Sequence, residues 1–293
     1  MADQQWSAQY QEASVSVNHF SGESVCIISS RYTWAKNHPE IPFPPFTEGS
    51  GAYDDSQYQD EFFWAEAMLW RATQQESFKN SLLARIESVP LQMDLSWQST
   101  GNLGWIALGM QTLDLQLQAN ARAQIRTMTT KINEEMESSE FRTIGSSFYW
   151  GSNSVFLNRA LLVGIQNRWE PDEKMKNTVT EVVDYINGRN AIGTHFVTGM
   201  AASSPRNPHN RLIASDGIDD PIPGLLVGGV NADHEDDVSK DALGVRYPFS
   251  EPGKAYYDHQ AAYASNETCI NWNAPLVFVL GEMLANANAK SAK

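Results

Sequence analysis

Apolar residues recur along this chain mostly at helical spacing. From Gly22 to His38, Val25, Ile28, Tyr32 and Ala35 fall on one face of a predicted helix, and Pro39, Pro42, Pro44 and Pro45 end it. A second helix is predicted from about Tyr58 to Thr73. It carries Phe62, Phe63, Trp64, Ala65, Ala67, Met68, Leu69 and Trp70, apolar nearly all round, the pattern of a helix buried on most of its circumference. The stretch Asn153 to Ile165, with Val155, Phe156, Leu157, Ala160, Leu161, Leu162 and Val163, has the same character. Met175, Val179, Val182, Val183 and Ile186 instead make a single stripe, as on an outer helix with one wet face. Two populations of helix, buried and amphipathic, predict two concentric layers. A last helix is predicted to begin at Pro275, because proline suits a first helical turn.

Between Gly188 and Pro252 the helical period fades and glycine and proline become dense. Loops this long inside a compact domain are usually functional, and interspersed aromatic residues favour an ordered, site-forming loop. No repeat or low-complexity linker interrupts the chain, so residues 24–285 are read as one domain.

Composition narrows the function classes. The 293 residues are 42% hydrophobic and 19% charged, enough for a core, and the net charge of −14 argues against a phosphate backbone as partner. No nucleic acid is therefore expected. Cys26 and Cys269 allow at most one bridge. The longest apolar run, Ala274 to Leu280, is far below the roughly 18 residues of a membrane helix, so no membrane partner is expected either. The first residues show neither a basic nor an apolar leader segment, which leaves a cytoplasmic product or a piece of a longer, exported chain as alternatives for localisation.

Candidate chemistry concentrates near the C-terminus. In YYDHQAAYASNETCINWNA, Asp258 and Glu267 stand nine residues apart among Tyr, Trp and Asn. A carboxyl group partly buried there and held by amides has the setting a general acid needs. The bland alternatives are a surface charge or a helix cap, and Asn266-Glu267-Thr268 also has the form of a glycosylation acceptor.

The run SNETCINWNAPLVFVL, with the spacing Tyr256-x-Asp258-x4-Tyr263-x3-Glu267, resembles the C-terminal signature of glycoside hydrolase family 9, the cellulase family with an (α/α)6 barrel. Residues 196–211, FVTGMAASSPRNPHNR, resemble the family's other signature, and residues 223–237, PGLLVGGVNADHEDD, its glycine-rich loop. Tyr58-Gln-Asp-Glu61 and the helix after it match a fourth segment, so the likeness runs in order over roughly residues 24–285. The resemblance implies an all-α fold, β-1,4-glucan or oligosaccharide as substrate, and inversion at the sugar carbon. It implies Glu267 as general acid and Asp258 as a supporting carboxylate. His209 and Arg211 become sugar-holding donors. Independently of the resemblance, Trp97, Trp105, Trp150, Trp272 and Tyr256 lie near predicted helix ends where sugar faces could stack; most of the nine tryptophans are expected in the core, and Tyr256 and Trp272 are the two kept as substrate contacts.

Departures from the family pattern matter as much. The N-terminal DAGD motif that carries the family's water-activating base is not found; Asp54-Asp55 and the aspartates at 216, 219 and 220 have a different order. The chain is thus expected to correspond to the C-terminal part of a catalytic domain, an incomplete barrel lacking its first helices. Asn210 stands where the family has a second histidine, and Cys269 where it has alanine. No cofactor is expected. A structural calcium at Asp60 and Glu61 is a lesser candidate, because Gln98, Ser99 and Thr100 follow Trp97 in place of a third carboxylate. The acidic string from Asp233 to Asp237 is expected to be a solvated loop. A β-glucosaminidase acting on cationic sugar oligomers, and an inactive carbohydrate-binding fragment, remain the alternatives to a β-1,4-glucanase.

Overall fold

The computed structural model describes residues 22–38, 55, 57–139, 141–143, 145, 147–236 and 246–291. The proline segment at 39–45, Asp54 and Asp237 lie outside them. The architecture is helical as expected: among the described residues the only β-structure is a handful of isolated bridges. The chain divides into two compact units, Met1–Ile125 and Arg126–Lys293.

The first unit contains α1 (Gly22–Asn37), α2 (Gln59–Thr73), α3 (Glu76–Arg85), α4 (Gly101–Met110) and the first half of α5 (Leu115–Ser138). Helix α2 packs on α1, α3 and α4. Its contact with α4 is close because Gly104 has no side chain: a Cβ there would sit 2.5 Å from the Phe63 ring. Phe63, Ala67, Leu69 and Trp70 are buried and Trp64 and Met68 exposed, so α2 is buried on most of its circumference and keeps one wet edge.

The second unit holds the rest of α5, then α6 (Ser152–Trp169), α7 (Glu173–Ile186), α8 (Arg211–Ser215), α9 (Tyr263–Asn266) and α10 (Ile270–Ser291). Helix α6 is the buried one, with neighbours α7 and α10. Its polar first turn is tolerated inside because each side chain has an acceptor: Ser152 Oγ donates to the Val230 carbonyl and Asn153 Nδ2 to the Val227 carbonyl. Helix α7 is capped by Asp172, whose carboxylate accepts from the Lys174 and Met175 N–H groups, and it buries the stripe Val179, Val182, Val183 and Ile186. Each such side chain contributes about 1.5–3 kcal/mol on burial.

Three expectations need correction. The last helix begins at Ile270, so Pro275 lies in its second turn; the first turn is closed by the Cys269 carbonyl, which accepts from the Trp272 and Asn273 N–H groups. Helices α3, α4 and α5 were not anticipated, although Leu117, Ala121, Ile125, Met128, Ile132 and Met136 of α5 form a buried stripe at helical spacing. The acidic string is not wholly solvated: Asp236 is buried and accepts from the Tyr247 hydroxyl and the Ala264 N–H. The described residues of the irregular region, 188–236 and 246–251, are held by backbone hydrogen bonds, and α8 is the helix among them.

No helix of the described residues is long and apolar enough to cross a membrane. Helix α10 nonetheless presents Ile270, Val277, Leu280 and Leu284 to solvent, with Ile270 92%, Val277 70% and Leu284 63% exposed. A continuous apolar stripe of this kind drives self-association. The chain on its own is expected to elute from size-exclusion columns as oligomers, and Val277→Glu combined with Leu284→Lys to shift it toward monomer. A monomeric parent with a sharp melt would contradict this.

Candidate active site

The site is assembled around the short extended stretch 267–268 that follows α9, flanked on both sides by loop backbone. On one side His209 pairs with Glu267 in parallel fashion, the His209 N–H donating to the Asn266 carbonyl at 2.7 Å. On the other, Val227 pairs with Thr268, and the Gly228 N–H donates to the Glu267 carbonyl at 3.0 Å. This second side needs glycine. A Cβ on Gly229, where φ is +93°, would lie 2.4 Å from the Asn153 side chain, and one on Gly228 would lie 3.0 Å from the Ala264 carbonyl oxygen.

Asn266 ties the layers together. Its fully buried amide donates to the Asn207 carbonyl at 2.6 Å and to Asp258 Oδ1 at 3.1 Å, and its oxygen accepts from the Tyr256 hydroxyl at 2.6 Å. The glycosylation reading of this asparagine is therefore excluded by burial. Asp258 spends both carboxylate oxygens on the preceding loop: Oδ2 accepts the Arg206 N–H at 2.8 Å and Oδ1 the Asn207 N–H at 2.9 Å. Tyr256 is buried, with Phe196 edge-on to its ring, and burial followed by the nearby Asp258 charge holds its phenol well above the usual tyrosine range.

Glu267 itself is half-buried, and its Oε2 accepts the indole N–H of Trp150 at 3.3 Å. Trp150 is 40% exposed, and its ring meets Tyr263 at 5.2 Å, which in turn meets the His209 ring at 5.8 Å. Three rings thus run in a row beside the carboxyl group. His209 Nδ1 lies 2.6 Å from the Gln260 carbonyl oxygen. A carbonyl can only accept, so Nδ1 carries the hydrogen and Nε2 is left for other partners. The half-buried Cys269 thiol is pushed up to about 12 by burial first and by the Glu267 carboxylate second, so it stays a neutral thiol next to the acid.

Glu267, Asp258, His209 and Tyr256 therefore fall in one connected network. Trp272 is half-buried beside it, wedged against Gly151 and Gly228, where Cβ atoms would approach its ring to 2.9 and 3.2 Å. Arg211 is the exposed first residue of α8, whose N-cap Asn210 accepts from the Leu212 and Ile213 N–H groups and donates to Thr268 Oγ1 at 2.9 Å. Asn210 thus does a structural job at the position of the family's second histidine. Asp60 and Glu61 belong to α2 of the other unit. Of the tryptophans weighed as stacking surfaces and not retained, Trp105 is buried against Phe63, but Trp97 and Trp150 are exposed, and Trp150 is the one that stands against Glu267. Its one local signal is Gly151, which takes φ +79° to start α6 immediately after it.

The match of residues 20–280 to the model of glycosyl hydrolase family 9 agrees with this arrangement, and the chain belongs to that family. It is 31% identical over 288 residues to the xyloglucan-specific endo-β-1,4-glucanase BoGH9A of Bacteroides ovatus, covering 92% of this chain and 47% of that protein. It is 30% identical over 275 residues to a cellodextrinase of Butyrivibrio fibrisolvens, covering 86% and 49%. The structure of AaCel9A in complex with cellobiose-like isofagomine superposes with a TM-score of 0.78 at 27% identity, over 87% of this chain and 48% of that one. The fold class is the all-α, (α/α)6 barrel class of that structure, and the chain spans about half the length of the relatives it matches.

The network sets a stability expectation. Asn266→Ala strands the buried Tyr256 hydroxyl and the Asn207 carbonyl, so urea unfolding should show a loss of about 2–4 kcal/mol. Arg211→Ala, on an exposed helix end, should stay within about 0.5 kcal/mol of the parent. Equal, small effects of both would show that the network does not hold the site.

Proposed function

We propose that the protein is a glycoside hydrolase that cleaves β-1,4-glucan or cello-oligosaccharides with inversion, Glu267 acting as the general acid. The observation that carries this reading is the half-buried Glu267 carboxyl, held by Trp150 Nε1 on a segment clamped between His209 and Gly228, beside a row of three rings. A sugar ring bound there stacks an apolar face on Trp150 while Glu267 protonates the leaving glycosidic oxygen. His209 Nε2 and Arg211 grip hydroxyls. Tyr256, set in the core, and Trp272, wedged between glycines, brace the site from beneath.

Inversion also requires a carboxylate about 6.5–9.5 Å from the acid, with room for a water between them. Asp258 is unsuited to that task, because both of its oxygens are occupied by backbone N–H groups. It is a positioning residue for the His209 loop, and the base in this reading comes from a carboxylate outside the network. With Asp258 turned inward, the network offers no spare acid to a cationic sugar, which favours neutral glucan over glucosamine oligomers. On the intact protein, proton NMR of cello-oligosaccharide cleavage should show the α-anomer forming first. Formation of the β-anomer first would overturn inversion, and faster cleavage of chitosan oligomers would favour the glucosaminidase reading. Trp150→Phe keeps the ring but loses the N–H, so kcat should fall with KM little changed, whereas Trp150→Ala should raise KM as well.

A structural cation in the first unit is a separate proposal. Burial, then a hydrogen bond that the Glu61 carboxyl donates to Asp60, then the charges of Asp60 and Asp55 push Glu61 up to about 7. Glu61 Oε2, Gln92 Oε1, Thr100 Oγ1 and Asn102 Oδ1, on residues that flank Asp60, are buried without a partner. An all-oxygen set of this kind fits a hard cation such as calcium, and Asp60 and Glu61 would hold it. Without a cation, a carboxyl raised in the folded state contributes stability below about pH 4.5 that is lost as pH rises toward 7. Adding calcium at pH 8 should therefore raise Tm, and Glu61→Gln should raise Tm without calcium and abolish the calcium response. No calcium response in the parent would refute the cation site.

A further inference from the structure

Helix α9 is a single turn that ends directly before Glu267. A turn this short is not stable in water by itself, because its first N–H groups have no partner within the helix. Ala264, Ser265 and Asn266 are fully buried, so water does not serve those groups either. The residue at the N-cap is Ala262, which has no side-chain oxygen to offer.

Asp236, 28 residues before Ala264, supplies what Ala262 lacks. It is 6% exposed, and its Oδ2 accepts the Ala264 N–H at 2.8 Å. A carboxylate at the head of a helix is favoured by the helix dipole as well. Its Oδ1 accepts the Tyr247 hydroxyl, also at 2.8 Å. A phenol has one hydrogen, so with that hydrogen given to Asp236 the Tyr247 oxygen accepts from Ser265 Oγ, 3.0 Å away. The His234 ring lies flat on Tyr247 with centroids 4.7 Å apart and holds the phenol in place. Burial raises the Asp236 carboxyl above its ordinary range, and the Tyr247 hydroxyl and the Ala264 N–H pull it back, so both bonds favour the ionised form.

Asp236 and Tyr247 thus grip two successive residues of α9. On the same turn, the helical period brings Tyr263 and Glu267 to one side, and the Glu267 N–H donates to the Tyr263 carbonyl at 3.0 Å. Tyr263 is the middle ring of the row between Trp150 and His209, and Glu267 Oε2 accepts the Trp150 indole N–H. A rotation of the turn would therefore carry the carboxyl and the ring away from Trp150 together.

We propose that Asp236, with Tyr247, is a positioning residue for Glu267: it locks α9 at the angle that sets the Glu267 carboxyl against Trp150. Its consequence for catalysis rests on the function proposed above; its consequence for the contact between Glu267 and Trp150 does not.

The test follows the Trp150 indole N–H by nitrogen-15 NMR in the intact protein with labelled tryptophan, the peak being assigned by its loss in Trp150→Phe. Glu267→Gln should shift this peak. Asp236→Ala should shift it in the same direction, and Asp236→Asn, which keeps one oxygen for the Ala264 N–H, and Tyr247→Phe should shift it less. In Asp236→Ala, kcat on cello-oligosaccharides should fall about ten-fold or more with KM within about two-fold, whereas kcat on a dinitrophenyl cellobioside, which needs no acid, should stay within about two-fold. An unmoved Trp150 peak in folded Asp236→Ala and Tyr247→Phe would overturn the inference, as would equal losses on both substrates in Asp236→Ala where Glu267→Gln is selective. A moved peak with Glu267→Gln itself unselective would sustain the positioning while contradicting the reading of Glu267 as the acid. If Asp236→Ala does not fold, the Trp150 peak in Tyr247→Phe decides alone.

Discussion

The amide of Asn266 points its hydrogen-bonding groups at three residues on two separate stretches of chain, and most of the site depends on them. Its two N–H bonds take the Asn207 carbonyl and Asp258, and its oxygen takes the Tyr256 hydroxyl. Asn266 and Tyr256 are buried while Asp258 is half-buried and Asn207 exposed, so it is the Tyr256 bond above all whose loss carries the full desolvation penalty of about 1–3 kcal/mol. Asn266 precedes Glu267 and its carbonyl accepts from His209, so the same residue that locks this network also fixes the backbone of Glu267 and of His209. Preorganisation here is a consequence of polar burial.

The glycine-rich loop performs the complementary task from the opposite side. Gly228 and Gly229 let the backbone approach Ala264 and Asn153 more closely than any side chain permits, and that approach brings the Gly228 N–H onto the Glu267 carbonyl. Asn153 lies at the head of α6 and donates to Val227, so the buried helix, the loop and the acid-bearing segment form one continuous hydrogen-bonded layer. The same helix start places Trp150 against Glu267. Asp236 supports α9 from below through the Ala264 N–H.

Much of this was legible in the order of residues, and the misses have physical reasons. The stripe of α7 and the apolar wrap of α6 are strong periodic signals, and both helices lie where the period puts them. Helix α5 has an equally regular buried stripe, but its many polar residues mask it. Pro275 was a misleading signal: it marks the first turn only on average, and here the turn before it is already closed by the Cys269 carbonyl. Glu267, His209 and Asp258 stand out in the sequence because they sit in dense motifs, and the structure brings them into one network. In sequence alone Trp150 is weighed and set aside, and Asp236 reads as solvated, because their contacts are with partners distant along the chain, Glu267 for one and Tyr247 with Ala264 for the other, which no local pattern encodes.

The central claim is that Glu267 delivers the proton to the leaving group, and its most direct test compares two leaving groups in the intact protein carrying Glu267→Gln. For cello-oligosaccharides, whose departing sugar needs a proton, kcat/KM should fall by about 10² to 10⁴, the usual worth of a general acid. For a dinitrophenyl cellobioside, whose leaving group departs unprotonated, the loss should stay within about ten-fold. Equal losses on both substrates would contradict the assignment of Glu267 as the acid.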